Sequence, residues 1–300
     1  MYVILGATGN TGSVVAENLL AKSEKVRAVS RNKERLAALA KRGAEIMEGD
    51  ISDASFLTRA FDGARAVYFM VPPLPTSNEY RAFQDRIVDA GAAALKSARV
   101  RHTVTLSSVG ADKEWGTGPV AGLHRMESRF GEISGLNALH LRPGYFMENT
   151  LPQVGVIQNF GIVAGPLRPD LALPMIATKD IGAVAAEALR KLDFSGQQMR
   201  ELLGHRDITY TEVARIIGAA IGKPELPYKQ LPADQFLQAL TQMGMSANFA
   251  GLIIEMSTAL NEGRIKALEP RSAANTTPTS YESFVQEVFV PAFKGKAATA

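Results

Sequence analysis

The fold of this chain is decided by its first stretch, MYVILGATGNTGSVV at residues 1–15. A short apolar run is followed at once by three glycines spaced three residues apart, Gly6, Gly9 and Gly12, and then by a helical pattern. A helix N-terminus exposes unpaired backbone N–H groups and the positive end of the peptide dipoles, so it suits a pyrophosphate. A glycine loop between a strand and a helix therefore indicates dinucleotide binding, and the alternative is a tight structural turn.

Each glycine has its own predicted task in that loop. Gly6 ends the strand and lets the chain turn, Gly9 lets the backbone approach the phosphates, and Gly12 lets the helix pack close to the strand. The polar side chains between them add hydrogen-bond donors: Thr8, Asn10 and Thr11.

The first half of the chain repeats this alternation of apolar run and helical pattern. Five more strand-like segments follow the opening one: KVRAVSR, AEIMEGD, ARAVYFMVPP, HTVTLSS and LNALHLRPGYF. Such runs are typical of strands buried on both faces, and the helices between them imply parallel pairing through right-handed crossovers. We therefore predict an α/β fold of the Rossmann type, with a doubly wound parallel sheet of about six strands or more.

The rhythm changes after Asn149, where Gly- and Pro-rich sequence and then helical patterns follow. We predict an NAD(P)-binding Rossmann domain at 1–150 and a smaller, mainly helical substrate or lid region at 151–300. The two are expected to be partly interleaved, because strands of the second half can still join the main sheet. The tail KGKAATA is expected to be frayed.

Composition limits the classes of function. The chain has no cysteine, which excludes disulfides and zinc–thiolate sites and suits a reducing compartment. No apolar run is long enough for a membrane span and no basic leader precedes the first strand, so we expect a cytoplasmic protein. The net charge of +3 is small and its basic residues are spread along the chain. A phosphate-bearing small ligand is therefore expected, and direct nucleic-acid binding is not.

The end of the second predicted strand, VRAVSRN, bears on the choice of nucleotide. An acidic residue at this place holds the ribose hydroxyls of NAD, whereas an arginine accommodates the 2′-phosphate of NADP. No carboxylate is present and Arg31 stands there, so NADP(H) is preferred over NAD(H). The alternative is that Arg31 is a solvated residue ahead of a helix cap at Asn32.

Other strand ends should also line the nucleotide crevice, since such sheets bind ligands at the carboxyl ends of their strands. Asp50 suits the adenine edge, with Ile51 against the ring, although Asp50 could equally cap the helix that begins near Asp53. The fourth and fifth strands end at residues that should border the ribose and the nicotinamide: Val71, Pro72 and Ser107.

His124 and Tyr145 are the candidate catalytic residues. His124 could orient the nicotinamide ribose or supply a proton, because imidazole titrates near working pH; the alternative is a partly buried histidine under the sheet. Glu127 shares a helix face with His124 and could instead pair with Arg125 or Arg129. No metal is expected, because His-x-x-Glu alone supplies too few ligands.

Apolar residues supply a second set of candidates. Tyr145 and Phe146 follow the sixth strand on the crevice side, and their rings either stack on a flat ligand or pack in the core. Four residues of the C-terminal helices suit either an adaptable pocket or ordinary helical core: Met243, Met245, Phe249 and Met256.

Seven segments together resemble the NmrA-like branch of the atypical short-chain dehydrogenases: GATGNTG, SRN, GDISD, FMVPP, LSSVGA, GLHRMESRF and LRPGYFMEN. The resemblance covers nearly the whole chain. It implies an extended Rossmann fold with NADP bound along residues 6–12 and Arg31. Members of this branch include NAD(P)H-dependent quinone and azo reductases, and also proteins that bind the nucleotide and regulate transcription without reducing anything.

The chain departs from the usual short-chain dehydrogenases, in which a lysine four residues after a tyrosine lowers the tyrosine pKa for proton exchange with a carbonyl oxygen. None of the seven tyrosines has this lysine. The residues found at that position are Gly6, Pro72, Gln84, Asn149, Ala214, Pro232 and Val285. Ordinary alcohol–ketone interconversion is therefore not expected.

Two functions remain open at this point. The favoured one is an NADPH-dependent oxidoreductase that transfers hydride to a flat, electron-poor small molecule such as a quinone or azo compound. Stacking of such an acceptor on the nicotinamide can suffice, with a proton from water or His124. The alternative is a non-catalytic NADP(H)-binding redox sensor that acts through a regulatory protein partner. Either form could be a homodimer. An epimerase or isoflavone-reductase-like enzyme is disfavoured, because Lys113 lies in a loop rather than in the helix after the fifth strand.

Overall fold

The computed structural model describes residues 1–295, and the last five residues of the tail expected to fray lie outside the described residues. The strands are β1 Tyr2–Leu5, β2 Val26–Ser30, β3 Glu45–Glu48, β4 Ala66–Phe69, β5 His102–Leu106, β6 Asn137–Pro143, β7 Tyr145–Phe146, β8 Val163–Gly165, β9 Leu173–Ile176, β10 Gln197–Leu202, β11 Asp207–Ile208 and β12 Tyr228–Gln230. The α-helices are α1 Asn10–Ala21, α2 Ala37–Lys41, α3 Ala54–Phe61, α4 Tyr80–Ser97, α5 Ala121–Gly131, α6 Gln153–Phe160, α7 Thr178–Lys191, α8 Tyr210–Ala220, α9 Ala233–Gln242, α10 Ala247–Asn261, α11 Tyr281–Phe284 and α12 Val290–Phe293. Over residues 1–295, none of the helices combines the length and the apolar character needed to cross a membrane.

Seven strands form one parallel sheet in the order β10-β6-β5-β4-β1-β2-β3. The chain starts in the middle with β1, moves outward through β2 and β3, and returns to β4 on the other side of β1. Open α/β sheets bind ligands where the strand order reverses in this way, beyond the carboxyl ends of the strands. The predicted doubly wound α/β sheet is confirmed, and β10 from the second half of the chain is its seventh strand.

The sheet is buried on both faces. Along β1, Tyr2 and Ile4 belong to the core under α1 and α7, whereas Val3 and Leu5 belong to the core under α3, α4 and α5. Because side chains alternate across a strand, one run of four apolar residues serves two cores. The strand ends that carry the glycine loop are therefore held from both sides.

A third core lies beyond the carboxyl ends of β5, β6 and β10. It contains Val109 after β5, Met147 after β6 and Leu203 after β10, packed with side chains of β9, α8 and α11. Two small sheets, β11-β9-β7 and β12-β8, belong to this part. The domain boundary at residue 150 stays a prediction, since α7 packs on α1 and β10 pairs with β6 within the sheet layer.

Candidate active site

A cleft of about 880 Å³ opens beyond the carboxyl ends of the central strands, between the sheet and the third core. On the sheet side its walls include residues that follow β1, β4, β5 and β6: Gly6, Met70, Ser107 and Gly144. On the other side the walls include Leu173, Met256, Lys266 and Pro270. A cleft of this size with a largely apolar lining is typical of small-molecule and cofactor sites.

The glycine loop has the geometry that its sequence predicts. Gly6 has a φ of +63°, and a Cβ atom there would stand 2.8 Å from the Sδ of Met70. A Cβ atom on Gly12 would stand only 2.3 Å from the carbonyl oxygen of Gly6. The helix α1 therefore packs against the end of β1 because Gly12 has no side chain. Contact of a phosphate with Gly9 stays a prediction.

The N-terminus of α1 opens into the cleft. Gly9 is the N-cap residue, no side chain caps the helix, and its first turn holds no acidic residue. Of the loop residues, the cleft is lined by Gly6, Gly9, Asn10 and Thr11 but not by Thr8 or Gly12. The buried Tyr68 donates to Oγ1 of Thr11 at 3.0 Å and fixes that side chain. Free N–H groups at a helix N-terminus, reached over glycine, fit the pyrophosphate of a dinucleotide.

Arg31 and Asp50 lie farther along the sheet, outside the walls of the cleft. Arg31 follows β2 and is exposed, and Ile51 is buried in the core under α3. Oδ1 of Asp50 accepts the N–H of Ser52 at 2.9 Å. The cap of α3 is Asp53, so the alternative that Asp50 caps this helix is wrong. The nucleotide contacts of these strand ends stay predictions.

The ends of β4 and β5 reach the cleft more directly. Val71 and Ser107 line it, whereas Pro72 does not and its neighbour Pro73 does. The Oγ of Ser107 donates to Oε1 of Glu127 at 2.5 Å. Contact of these residues with ribose or nicotinamide is not decided by this geometry and stays a prediction.

Glu127 has a different partner from those predicted. Its carboxylate accepts the Nε and Nη2 hydrogens of Arg142 from β6, at 3.0 and 2.5 Å. Arg125 and Arg129 instead bind aspartates of α4 at the surface. The expected pairing of Glu127 with either of them is therefore wrong. Arg142 went unidentified because an arginine inside an apolar strand carries no local signal of its partner.

His124 lies behind the wall of the cleft. Its neighbour Leu123 lines the cleft, and His124 does not. Nδ1 of His124 donates to the carbonyl of Ala111 at 2.9 Å, since a carbonyl oxygen can only accept. In the neutral ring Nε2 is therefore an acceptor, and a catalytic role for His124 stays a prediction. Within the part of the chain that the structure describes, no three His, Asp or Glu side chains are grouped to hold a metal ion.

Tyr145 and Phe146 form β7 and line the cleft together. The hydroxyl of Tyr210 donates to the hydroxyl of Tyr145 at 3.2 Å, so Tyr210 does not take up the proton of Tyr145. Burial raises the pKa of Tyr145 above its ordinary value of 10.0, so the phenol stays protonated at neutral pH. Tyr210 was not among the sequence candidates, because it lies 65 residues from Tyr145.

The far wall of the cleft comes from α10 and from the segment 263–271 after it, which we call the wall segment. Met256 and Leu260 of α10 face the cleft. The carboxylate of Glu201, at the end of β10, accepts the backbone N–H groups of Leu268 and Glu269 at 3.0 Å. The sheet thus holds the far wall through one buried side chain.

Arg271 makes a second attachment of the wall segment. It donates to the backbone carbonyls of Leu203 and Gly204 and pairs with Asp207. Among the four apolar candidates of the C-terminal helices, Met256 lines the cleft, Phe249 packs edge-on against Tyr80, and Met243 is exposed. No sequence motif predicts this wall of the cleft, since its residues lie on separate stretches of the chain.

Comparison with known proteins places this architecture in one family. The model of the NmrA-like family matches residues 2–284. An NAD(P)H azoreductase of Xenophilus azovorans is 29% identical, with 85% of this chain and 86% of that protein covered. A (4-alkanoyl-5-oxo-2,5-dihydrofuran-3-yl)methyl phosphate reductase of Streptomyces griseus is 32% identical over 80% of each chain. The crystal structure of an NADPH-dependent quinone oxidoreductase of Escherichia coli, complexed with NADPH, superposes with a TM-score of 0.79 at 23% identity. That superposition covers 96% of this chain and all of the other, and at this identity it concerns the fold.

Proposed function

The chain belongs to the NmrA-like family, and from that premise we propose that it is an NADPH-dependent reductase of flat, electron-poor acceptors such as quinones or azo compounds. One observation carries the proposal: a single cleft is lined by both the open N-terminus of α1 and Tyr145. The first binds the nucleotide and the second faces the substrate.

The nucleotide side of the cleft is the end of β1 with its glycine loop. Bound NADPH supplies the hydride for the acceptor. The N–H groups of Asn10 and Thr11 hold its pyrophosphate at the helix N-terminus, and Gly12 keeps that terminus against the strand. Arg31, exposed at the end of β2, binds the 2′-phosphate and so favours NADPH over NADH.

Tyr145 supplies the proton in this proposal. A quinone that accepts a hydride on one oxygen needs one proton on the other, and both then appear in the hydroquinone. The phenol of Tyr145 is protonated at neutral pH because burial raises its pKa. Tyr210 donates to the same oxygen, so the proton of Tyr145 is not taken up by Tyr210 and is the one that the substrate receives in this proposal.

The walls around Tyr145 are suited to a flat apolar acceptor. Phe146, Val120, Met256 and Leu260 all face the cleft. Aromatic and methionine side chains pack against planar rings without demanding a fixed polar pattern. The azo and quinone acceptors in the names of two relatives are of this kind. Acceptors of this kind take hydride readily when stacked, which is consistent with the missing tyrosine–lysine pair.

The test is oxidation of NADPH and of NADH by the purified protein with a panel of quinones and azo dyes, beside calorimetric titration with each nucleotide. We expect acceptor-dependent turnover that is faster with NADPH. Turnover retained in His124→Ala and lost in Tyr145→Phe identifies Tyr145 as the proton donor, and the reverse assigns that role to His124. Tight NADPH binding with no turnover on any acceptor contradicts the reductase and favours a redox sensor that acts through a protein partner.

A further inference from the structure

Three polar side chains form a buried chain of hydrogen bonds under the floor of the cleft. Ser107, directly after β5, donates to Oε1 of Glu127 on α5 at 2.5 Å. Arg142 of β6 donates two hydrogen bonds to the same carboxylate, from Nε and Nη2. The side chains of Arg142 and Glu127 are only 7% and 10% exposed, and Ser107 is 3% exposed. Of the three, only Ser107 lines the cleft.

This chain of bonds decides how the Ser107 hydroxyl can act. A serine hydroxyl has one proton to donate and two lone pairs with which to accept. A carboxylate gripped by a guanidinium can only accept, so the single proton of Ser107 is committed to Glu127. The hydroxyl therefore presents lone pairs to the cleft and no proton. It can bind a hydrogen-bond donor there, and it cannot donate to the oxygen of a substrate.

The position of Ser107 indicates which part of a bound nucleotide it meets. From β1, which carries the glycine loop, the sheet continues to β4 and then to β5. At about 4.8 Å between neighbouring strands, Ser107 lies roughly 10 Å from the helix N-terminus. That span places it beside the nicotinamide half when the pyrophosphate lies at α1. The nicotinamide half of the nucleotide offers two kinds of hydrogen-bond donor, the carboxamide N–H and the ribose hydroxyls.

Two side-chain hydroxyls, those of Ser107 and Ser108, lie on this part of the floor. Met70 and Val71 after β4 and Leu106 of β5 present apolar side chains to the cleft. The hydroxyl of Ser108 is bonded to the carbonyl of Val109 at 2.9 Å. Since Ser108 also keeps its lone pairs, the side-chain acceptors at the ends of β4 and β5 are the hydroxyls of Ser107 and Ser108, and Ser107 is the one whose proton is held by a buried ion pair.

We propose that Glu127 and Arg142 are positioning residues for the nucleotide. They turn the proton of Ser107 away from the cleft, so that the hydroxyl accepts a hydrogen bond from the nicotinamide half. This inference rests on the part of the proposed function that concerns NADPH binding, and it does not require that the protein oxidises NADPH. It also excludes Ser107 as the proton donor to the substrate, because the Ser107 proton is already engaged, and this agrees with that role for Tyr145.

The first test measures the dissociation constants of NADPH and of its analogue with an acetyl group in place of the carboxamide, which has no N–H. Ser107→Ala removes the acceptor, and Ser107→Thr keeps a hydroxyl. We expect Ser107→Ala to weaken NADPH binding about fivefold, as one lost hydrogen bond does, and Ser107→Thr to restore most of it. The analogue should bind wild type about fivefold more weakly than NADPH and lose nothing further in Ser107→Ala.

Two other outcomes of this titration are informative. If Ser107→Ala weakens NADPH and the analogue equally, the donor is a ribose hydroxyl, and the acceptor role of Ser107 stands. If Ser107→Ala changes the affinity for neither nucleotide, the proposal is overturned. If the wild-type protein binds NADPH but none of the acceptors causes NADPH oxidation, the reductase function is refuted. The comparison of dissociation constants can still be made in that case.

The second test concerns the positioning pair. Replacement of Glu127 alone would leave the buried charge of Arg142 without its partner, and a glutamine would still accept the proton of Ser107. The double variant Glu127→Leu/Arg142→Met is therefore used. We expect it to bind NADPH about as weakly as Ser107→Ala does and to lose discrimination against the analogue. A double variant with a lowered Tm but wild-type nucleotide affinities would show a structural role only and overturn the positioning role. If this variant does not fold, the Ser107 titration decides the proposal.

Discussion

The two sides of the cleft are built in different ways. The nucleotide side is mostly backbone, since it consists of the turn after β1, the start of α1 and the ends of parallel strands between two cores. The far side is held by side chains. Glu201 accepts backbone N–H groups of the wall segment, and Arg271 donates to a backbone carbonyl at the end of β10. A backbone site is fixed by the order of residues in one short stretch. A side-chain site depends on contacts between residues that are distant in the sequence.

The largest effect should come from adding one carbon to the backbone side. In Gly12→Ala the new Cβ would stand 2.3 Å from the carbonyl oxygen of Gly6, so α1 must move away from β1. Overpacking of this kind costs about 1–3 kcal/mol of stability, and a displacement near 1 Å can cost roughly 100-fold in turnover. Thermal unfolding measures the first and steady-state kinetics the second, and calorimetry with NADPH shows whether nucleotide binding weakens with them.

The matched control is Gly155→Ala in α6, where nothing lies within 4 Å of the added carbon. It should keep nucleotide affinity and gain up to about 1 kcal/mol of stability, because alanine favours helix more than glycine does. Unchanged NADPH binding in Gly12→Ala would mean that the backbone side is not the nucleotide site.

The next effect separates the two sides by function. Tyr145→Phe removes the proposed proton donor and should lower kcat about 100-fold without changing the dissociation constant of NADPH. Tyr228→Phe is the control, since its hydroxyl binds the carbonyl of Leu167 and does not line the cleft. Steady-state kinetics should show full kcat in Tyr228→Phe. An equal loss in both variants would assign the effect of Tyr145→Phe to packing rather than to proton transfer.

Arg31 tests how far the backbone side extends along the sheet. Arg31→Ala should weaken NADPH binding about tenfold and leave NADH unchanged, because only NADPH carries the phosphate that the guanidinium binds. The control is Arg101→Ala, since Arg101 is exposed directly before β5, at the amino ends of the strands, and the cleft lies beyond their carboxyl ends. If NADH binds wild type as tightly as NADPH, the preference is wrong whatever the variant does.

A smaller effect is expected on the side-chain wall. Glu201→Gln replaces one of the two oxygens that accept the N–H groups of Leu268 and Glu269, which should loosen the wall segment. We expect the KM of the acceptor to rise about fivefold, the equivalent of one hydrogen bond, at constant NADPH affinity. Glu262→Gln breaks an exposed ion pair with Arg264 beside the same segment and should change little. A rise in the dissociation constant of NADPH instead would mean that both sides bind the nucleotide.

The smallest effect concerns the sheet beneath the cleft. Burial lowers the pKa of His140 below its ordinary value of 6.5, although the charge of Glu127 acts to raise it. The unfolded chain therefore binds a proton near pH 6 that the folded chain does not, so stability falls as the pH drops below 6.5. His140→Asn should show a smaller loss of Tm between about pH 7.5 and 5.5 than wild type, and the exposed His205→Asn should not. Equal losses in all three proteins would exclude His140 as a source of acid sensitivity.

Much of the fold could be predicted, because its determinants are local. Each strand of the first half is a run of apolar residues between turn signals, and the glycine spacing sets the direction of α1 against β1. The seventh strand was not assigned. Along β10, Gln197, Gln198 and Arg200 are exposed, as an edge strand allows, so its sequence lacks the apolar run of a central strand.

The site was predictable only in part for the same reason. Gly6, Gly9 and Ser107, which line the cleft, could be predicted to lie there because they follow strand ends, which the alternation locates. Arg142 and Tyr210 could not be found, because each matters through one side-chain contact with a residue on another element. The spacing along α5 favoured an ion pair of Glu127 with an arginine of its own helix. A buried carboxylate instead pairs with a charge that is buried beside it, here that of Arg142.

The most direct test of the account is a single turnover without oxygen. The protein is loaded with one equivalent of NADPH, mixed rapidly with a quinone, and followed by the near-ultraviolet absorbance of the reduced nicotinamide. We predict complete loss of that absorbance in wild type and the same amplitude about 100-fold more slowly in Tyr145→Phe. Persistent absorbance in wild type with bound NADPH would contradict hydride transfer in this cleft, and an unchanged rate in Tyr145→Phe would contradict the division of tasks between its two sides.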